Sequence, residues 1–158
     1  MNKKKLASMM EWIRPAGIAA VFFLAYAFGH DAVSRFHILG PFVVMLMSGT
    51  VAFESVILGE AASEKIGYNV HRSYQIQSGL THAAIAITAL LVYAMNWGPQ
   101  AESAIVTAML LAFVFSAANH AATAVLERNV KPVNLLRPVL ALLLTGFLLP
   151  PMIAALSQ

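Results

Sequence analysis

The sequence contains no cysteine. That excludes structural disulfides, thiolate zinc sites, iron-sulfur clusters and CxxC redox relays, and with them the membrane thiol oxidoreductases. Charge is scarce as well: of 158 residues 11 % are charged and 59 % hydrophobic, with a mean hydropathy of +0.74. An average soluble domain carries about 25 % charged residues. A soluble globular fold is therefore excluded, and the expected class is an all-α, lipid-embedded bundle.

A spanning helix needs about 20 mostly apolar residues. Stretches free of Asp, Glu, Lys and Arg, extended to their natural limits, predict five spans at about 13–30, 37–58, 74–96, 103–126 and 134–156, forming one transmembrane domain over residues 1–158. The first is the weakest. Its uncharged part, Pro15 to His30, reaches about 24 Å against a hydrocarbon core of ~30 Å, so Trp12 and Arg14 are needed to anchor it at the interface. Lys3, Lys4 and Lys5 would suit the n-region of a cleavable signal peptide, but Glu11 and Arg14 interrupt the approach and no A-x-A site follows, which favours a span.

The basic residues supply a check that does not depend on hydropathy. With five spans and a cytoplasmic N-terminus, Lys3, Lys4, Lys5, Arg14, Lys65, Arg72, Arg128, Lys131 and Arg137 all fall inside and only Arg35 falls outside, as the positive-inside rule requires. The expected arrangement is a multi-pass protein of a bacterial inner (plasma) membrane, N-terminus cytoplasmic and C-terminus outside. The net charge of +3 is then an orientation signal, with the lysines attracting anionic lipid and no nucleic acid as partner. Two short outer turns, His30 to Phe36 and Asn96 to Glu102, and two longer polar inner loops, Gly59 to Arg72 and Glu127 to Asn134, complete the layout.

Small residues four apart allow close helix approach. Ser48/Ala52, Gly79/Ala83 and Ala118/Ala122 predict that the second, third and fourth spans form a tight inner group. Pro41, Pro138 and the Pro150/Pro151 pair are expected to kink or end helices.

Ionisable residues within spans are costly and mark functional sites by default. Three stand out: Glu54, His82 and His120, at about 6, 12 and 10 Å from the inner face, by a rise of 1.5 Å per residue. Helical spacing adds polar neighbours to each: Thr50 with Glu54; Gln75 and Ser78 with His82; and Ser116, Thr123 and Glu127 with His120. If the three stripes face one another they enclose a pocket open to the cytoplasm, fringed by Gln77, Asn119, Glu60, Glu64, His71 and Arg137, with Asn134 at the start of the last span. Two imidazoles and a carboxylate suit a divalent metal such as Zn²⁺ or Fe²⁺. Two His on facing helices suit a haem iron. A Glu beside two His suits a proton relay or an organic ligand. The alternative is polar glue between helices. No HExxH, ExxH or histidine-box motif selects among these. Met45 and Met47 are soft donors that suit copper, although packing accounts for them, and His30 and His37 read as solvated interfacial histidines.

Two segments, IGYNVHRSYQIQSGLTHAAIAI (Ile66 to Ile87) and NHAATAVLERNVKPVNLLRP (Asn119 to Pro138), resemble an uncharacterised family of small bacterial integral membrane proteins. The resemblance rests on Ile66, Gly67, Tyr68, Gln75, Gly79, His120, Asn129 and Asn134, and implies a membrane protein of unknown activity. The five-span architecture is loosely similar to that of the translocator and tryptophan-rich sensory proteins, which bind porphyrins and sterols. With two Trp and no Trp/Pro-rich pattern, this chain takes over none of their residues.

The leading expectation is a membrane protein of unknown activity, with no motif that indicates an enzyme, whose Glu54/His82/His120 pocket binds a metal ion, haem or a small organic, lipophilic ligand, with Gln75, Gln77, Asn119, Glu127 and Asn134 contributing to the site. The alternatives are an accessory or structural subunit of a larger membrane complex, and an oligomeric proton-coupled transporter. A five-span chain cannot divide into two equal inverted halves, so transport would require a homo-oligomer.

Overall fold

In a computed structural model, which describes residues 2–158, the chain forms six helices and no strand among the described residues. Helix α1 covers Lys3–Phe28 and α2 covers Ala32–Phe53. A π-helical turn, Glu54–Leu58, leads directly into α3, Gly59–Ile66. The chain then builds α4 at Arg72–Ala94, α5 at Pro99–Leu126 and α6 at Pro132–Leu156. Five of these segments, with α2, the π turn and α3 taken as one, are long and apolar enough to cross a membrane. A helix of 26 residues, as in α1, is about 39 Å long and exceeds a ~30 Å hydrocarbon core.

The helices are apolar on nearly every side. Phe23, Phe115, Leu142 and Phe147 point outward with more than half their surface uncovered, a pattern that a spanning bundle presents to lipid. The core is built around α2, which packs against α1, α4, α5 and α6. Its Phe36, Leu39, Val43 and Val44 are fully enclosed, meeting Val21 and Ala25 of α1, Ala89 of α4, Val106 and Met109 of α5, and Leu148 of α6. Met47 lies in this cluster and Met45 packs against it, so both methionines serve as core packing.

Small residues set the closest approach. A Cβ on Gly79 would stand 2.6 Å from Val56 Cγ2, 3.0 Å from Ser55 Cβ and 3.3 Å from the Ala52 carbonyl oxygen, which is how α4 lies so tightly against α2. The Ala118/Ala122 pair does not behave this way. Both residues are exposed, because α5 buries its neighbouring face through Ala117 and His120.

Two boundaries differ from the sequence reading. Helix α1 begins at Lys3, about three turns before the apolar stretch, because Asn2 caps it by accepting from the Lys4 backbone N–H at 3.0 Å. The stretch from Gly59, expected as loop, is helical as far as Ile66. Its residues, GEAASEKI, include good helix formers, and a Schellman motif ends it: Gly67 sits at φ +78°, Tyr68 N–H donates to Ser63 O at 3.0 Å and Gly67 N–H to Glu64 O at 3.3 Å. None of the prolines ends a helix; Pro15, Pro41, Pro138, Pro150 and Pro151 all lie within α1, α2 or α6.

The π turn widens α2 at Glu54, and α4 covers the widened backbone. Arg72 donates to the Ser55 carbonyl at 2.9 Å and to the Val56 carbonyl, while Gln75 donates to the Gly59 carbonyl at 3.2 Å. At the opposite end Asp31 opens α2 with a reciprocal capping box to Ser34, whose N–H is 2.7 Å from the carboxylate. That N–H holds the Asp31 carboxyl below its ordinary pKa.

Glycine substitutions test this packing. Gly79→Ala is expected to destabilise the detergent-solubilised protein by about 1–3 kcal/mol, because the new methyl group overpacks the α2 contact. Gly146→Ala, at a mid-helix position with nothing within 4 Å of the added atom, is expected to stabilise it by about 0.5–1 kcal/mol. Thermal unfolding of the two variants that showed equal shifts would contradict the assignment.

Candidate ligand-binding site

The polar residues of the spans gather at the end of the bundle that carries the N-terminus, around a cavity of about 590 Å³. Its lining comes from α1, α2, the π turn, α3, α4, α5 and α6 together with the Gly67–His71 connection.

One wall is a buried ion network. Glu54, 5 % exposed, receives Arg14 on Oε2, and Lys65 Nζ lies 2.8 Å from its Oε1. The same ammonium donates to Glu11 Oε1 at 2.6 Å and to the Ala7 carbonyl at 3.0 Å, so its three N–H groups meet three acceptors. Arg14 Nε donates to Thr50 Oγ1 at 3.0 Å, and the Thr50 hydroxyl donates on to the Met47 carbonyl at 3.0 Å. The network thus joins α1 to α2, the π turn and α3.

The second wall is centred on His120, 3 % exposed. Arg137 Nη1 lies 3.0 Å from His120 Nε2. A guanidinium is always protonated and only donates, so Nε2 accepts and the imidazole is the neutral Nδ1–H tautomer. Nδ1–H faces the Asn134 side-chain carbonyl, while Asn134 Nδ2 donates to the Asn129 carbonyl at 2.8 Å and the His120 carbonyl at 3.3 Å. Tyr68 stacks on the imidazole at 5.2 Å between ring centroids. Its hydroxyl lies 2.9 Å from His120 Nδ1 and 3.1 Å from Thr123 Oγ1, and accepts from Asn119 Nδ2 at 3.3 Å.

The third feature is His82, which makes no hydrogen bond among the described residues. Its Nδ1 is enclosed and without a partner, and its ring meets Phe113 edge-on at 5.8 Å. Gln75 also lines the cavity. It donates to the Ser63 hydroxyl, and its Oε1 is enclosed without a donor.

Of the residues expected at the site, Glu54, His82, His120, Gln75, Asn119 and Glu127 line the cavity, Glu127 from an exposed position. Asn134 is fully enclosed behind His120. Gln77 is exposed on the far side of α4 and is not part of the lining. The three-ligand metal centre expected from Glu54, His82 and His120 is not assembled: no group of three His, Asp or Glu residues placed to hold a metal ion occurs among the described residues. The physical reason is that Arg14 and Lys65 occupy both oxygens of Glu54, while Arg137 and Asn134 engage both nitrogens of His120.

Arg137, expected at the fringe of the pocket, does line the cavity; four residues central to the site carry no site role in the sequence reading: Glu11, Arg14, Lys65 and Tyr68. Lys65 had been assigned to a loop. With α3 helical, Glu54, Leu58, Ala61 and Lys65 run down one helical face, and that periodicity is the signal for the pair. For Tyr68 the signal is Gly67, which the Schellman motif requires and which turns the following residue back onto the bundle. At the other end, His37 is not a free interfacial histidine: it pairs with Glu102, which is 1 % exposed, and stacks on Tyr93 at 4.7 Å.

A family model, "Family of unknown function (DUF6790)", matches residues 27–157. The chain belongs to the DUF6790 family. The match extends far beyond the two segments on which the resemblance rested, and the structure brings those segments together. Asn129 Nδ2 donates to the Ile66 carbonyl at 2.9 Å and Lys131 Nζ to the Glu64 carbonyl at 2.6 Å, so in this DUF6790 chain the α3–α4 and α5–α6 connections form one surface over the cavity. No curated protein and no solved structure matches the chain.

Proposed function

We propose that this multi-pass membrane protein binds a small organic molecule in the cavity between Glu54, His82 and His120. The observation that carries the reading is the cavity itself. Its volume of about 590 Å³ lies within the range of small-molecule sites, about 300–1,000 Å³. Its lining combines an apolar part, with Met47, Val51, Phe113, Leu140 and Leu144, and many polar side chains, among them Glu54, His82, His120 and Arg137, a make-up that suits an organic molecule with both apolar and polar parts. An organic ligand is favoured over a metal ion or a haem iron clamped by two His because His120 Nε2 is engaged by Arg137 and Glu54 by two cations.

Filling the cavity tests the reading. Native mass spectrometry of protein in lipid nanodiscs is expected to show a non-protein organic molecule bound one to one, and Ala112→Trp, whose indole would occupy the space, is expected to lack it. A wild-type protein with no such molecule, or equal occupancy in the variant, would contradict the proposal.

The cavity end faces the cytoplasm of a bacterial inner membrane in this reading. Support comes from charge: Lys3, Lys4, Lys5, Lys65, Arg72, Arg128 and Lys131 all lie at that end and Arg35 at the other, and cytoplasmic loops keep Lys and Arg. The absence of cysteine makes the test direct. A membrane-impermeant maleimide applied to the outer face of the inner membrane is expected to label Gln100→Cys and to leave Asn69→Cys unlabelled; the reverse pattern would invert the orientation.

A further inference from the structure

We infer that the occupant of the cavity is an organic anion: an apolar body ending in a carboxylate or a phosphate received by Arg137. The inference rests on the ligand-binding reading above and adds the chemistry of the ligand.

The three cations at the cavity, Arg14, Lys65 and Arg137, equal Glu11, Glu54 and Glu127 in number, but they are not paired evenly. Glu11 and Glu54 pair with Arg14 and Lys65, each cation within ion-pair distance of both carboxylates. Arg137 stands outside that set. Among the described residues no carboxylate oxygen lies within ion-pair distance of it, and its one hydrogen bond is the contact with His120 Nε2 at 3.0 Å. Glu127, the third acidic residue of the lining, is exposed and makes no contact with it. Glu11 and Glu54 act on it only from a distance, so the guanidinium lines the cavity with no carboxylate of the described residues in contact. A guanidinium carries five N–H donors, of which His120 takes one. The other four are the groups that bind a carboxylate or phosphate in a planar, two-pronged fashion.

The surroundings fit an anion better than the other occupants. His120 is held neutral, with Nδ1–H committed to Asn134, so it steadies the guanidinium without cancelling its charge. His82 adds an enclosed ring nitrogen with no partner in the same lining. A cationic ligand would meet the Arg137 guanidinium, and a neutral one would leave it without an ion pair, the costly state for a charge at membrane depth. A free inorganic anion would leave the apolar walls at Phe113, Leu140 and Leu144 uncovered. The head group could arrive on a membrane lipid or on a soluble organic acid, and the chemistry of recognition is the same.

The test uses wild-type protein in phosphatidylcholine nanodiscs with octanoate, octyl phosphate, octanol or inorganic phosphate. Octanoate or octyl phosphate is expected to raise the thermal midpoint, with octanol and inorganic phosphate giving little change. Arg137→Gln is expected to weaken octanoate binding by about tenfold or more, and Arg137→Lys to retain part of it. Stabilisation by phosphatidylglycerol-containing nanodiscs that disappears in Arg137→Gln would assign the anion to a lipid head group; a response to octanoate alone would assign it to a soluble acid. Both support the inference. Equal stabilisation by octanol, or an unchanged octanoate response in a folded Arg137→Gln, would overturn the anion while leaving the cavity a ligand site. No response to any of the four probes would overturn the ligand-binding reading as well. If Arg137→Gln does not fold, the comparison of octanoate with octanol on the wild-type protein decides.

Discussion

Glu54 lies within an apolar helix, and a carboxylate there is tolerable only if cations come to it. Arg14 arrives from α1 and Lys65 from α3, each also touching Glu11. Much of the architecture at this end follows from that requirement. The turns of α1 before its apolar stretch supply Glu11 and the Ala7 carbonyl, the other two acceptors of Lys65. Lys65 has to lie on the face below Glu54, so the chain stays helical beyond the π turn. The π turn in turn exposes carbonyls that Arg72 and Gln75 of α4 satisfy, which ties the fourth helix to the same junction. The helices are held together here by polar contacts, since apolar side chains gain little from leaving lipid for one another.

The cavity is the space these contacts leave. Helix α5 contributes His120 and α6 contributes Arg137 and Asn134, while the Gly67 turn lays Tyr68 over the imidazole. Each group of the His120 wall is oriented by a neighbour, which fixes both the imidazole tautomer and the position of the guanidinium. The result is a chamber of mixed polar and apolar walls with one cation, Arg137, that no carboxylate of the described residues touches. Membership of the DUF6790 family adds no chemistry, so the functional reading stands on this geometry.

The five apolar segments were legible because hydropathy in a spanning helix does not depend on tertiary context: Ile38 to Leu58 or Pro138 to Gln158 reads as a span whichever way it faces. Glu54, His82 and His120 stood out because lipid makes any ionisable group conspicuous, and they do line one cavity. Their partners were harder to see. Arg14 and Lys65 sit near span ends, where basic residues ordinarily mark orientation, so their second role as buried partners was masked by the first, whereas Arg137 was legible at the pocket's fringe without its contact to His120. Helical phase was also misleading at Gln77, which shares a helix with His82 but faces outward, and at Ala118/Ala122, where small residues meet no helix. The His37–Glu102 pair was hidden for a related reason: each residue alone looks interfacial, and only the packing of α2 against α5 joins them.

The measurement that bears most directly on this account is a double-mutant cycle on Arg14 and Glu54, read by reversible unfolding in mixed micelles with Arg14→Gln, Glu54→Gln and the double variant. Each single change leaves a buried charge partly uncompensated, and the double change removes both. The account predicts a coupling energy of roughly 1–3 kcal/mol, with the double variant less destabilised than the sum of the singles. Additive effects within about 0.5 kcal/mol would mean that Glu54 does not depend on Arg14, and the ion network could not be the constraint that shapes this end of the bundle.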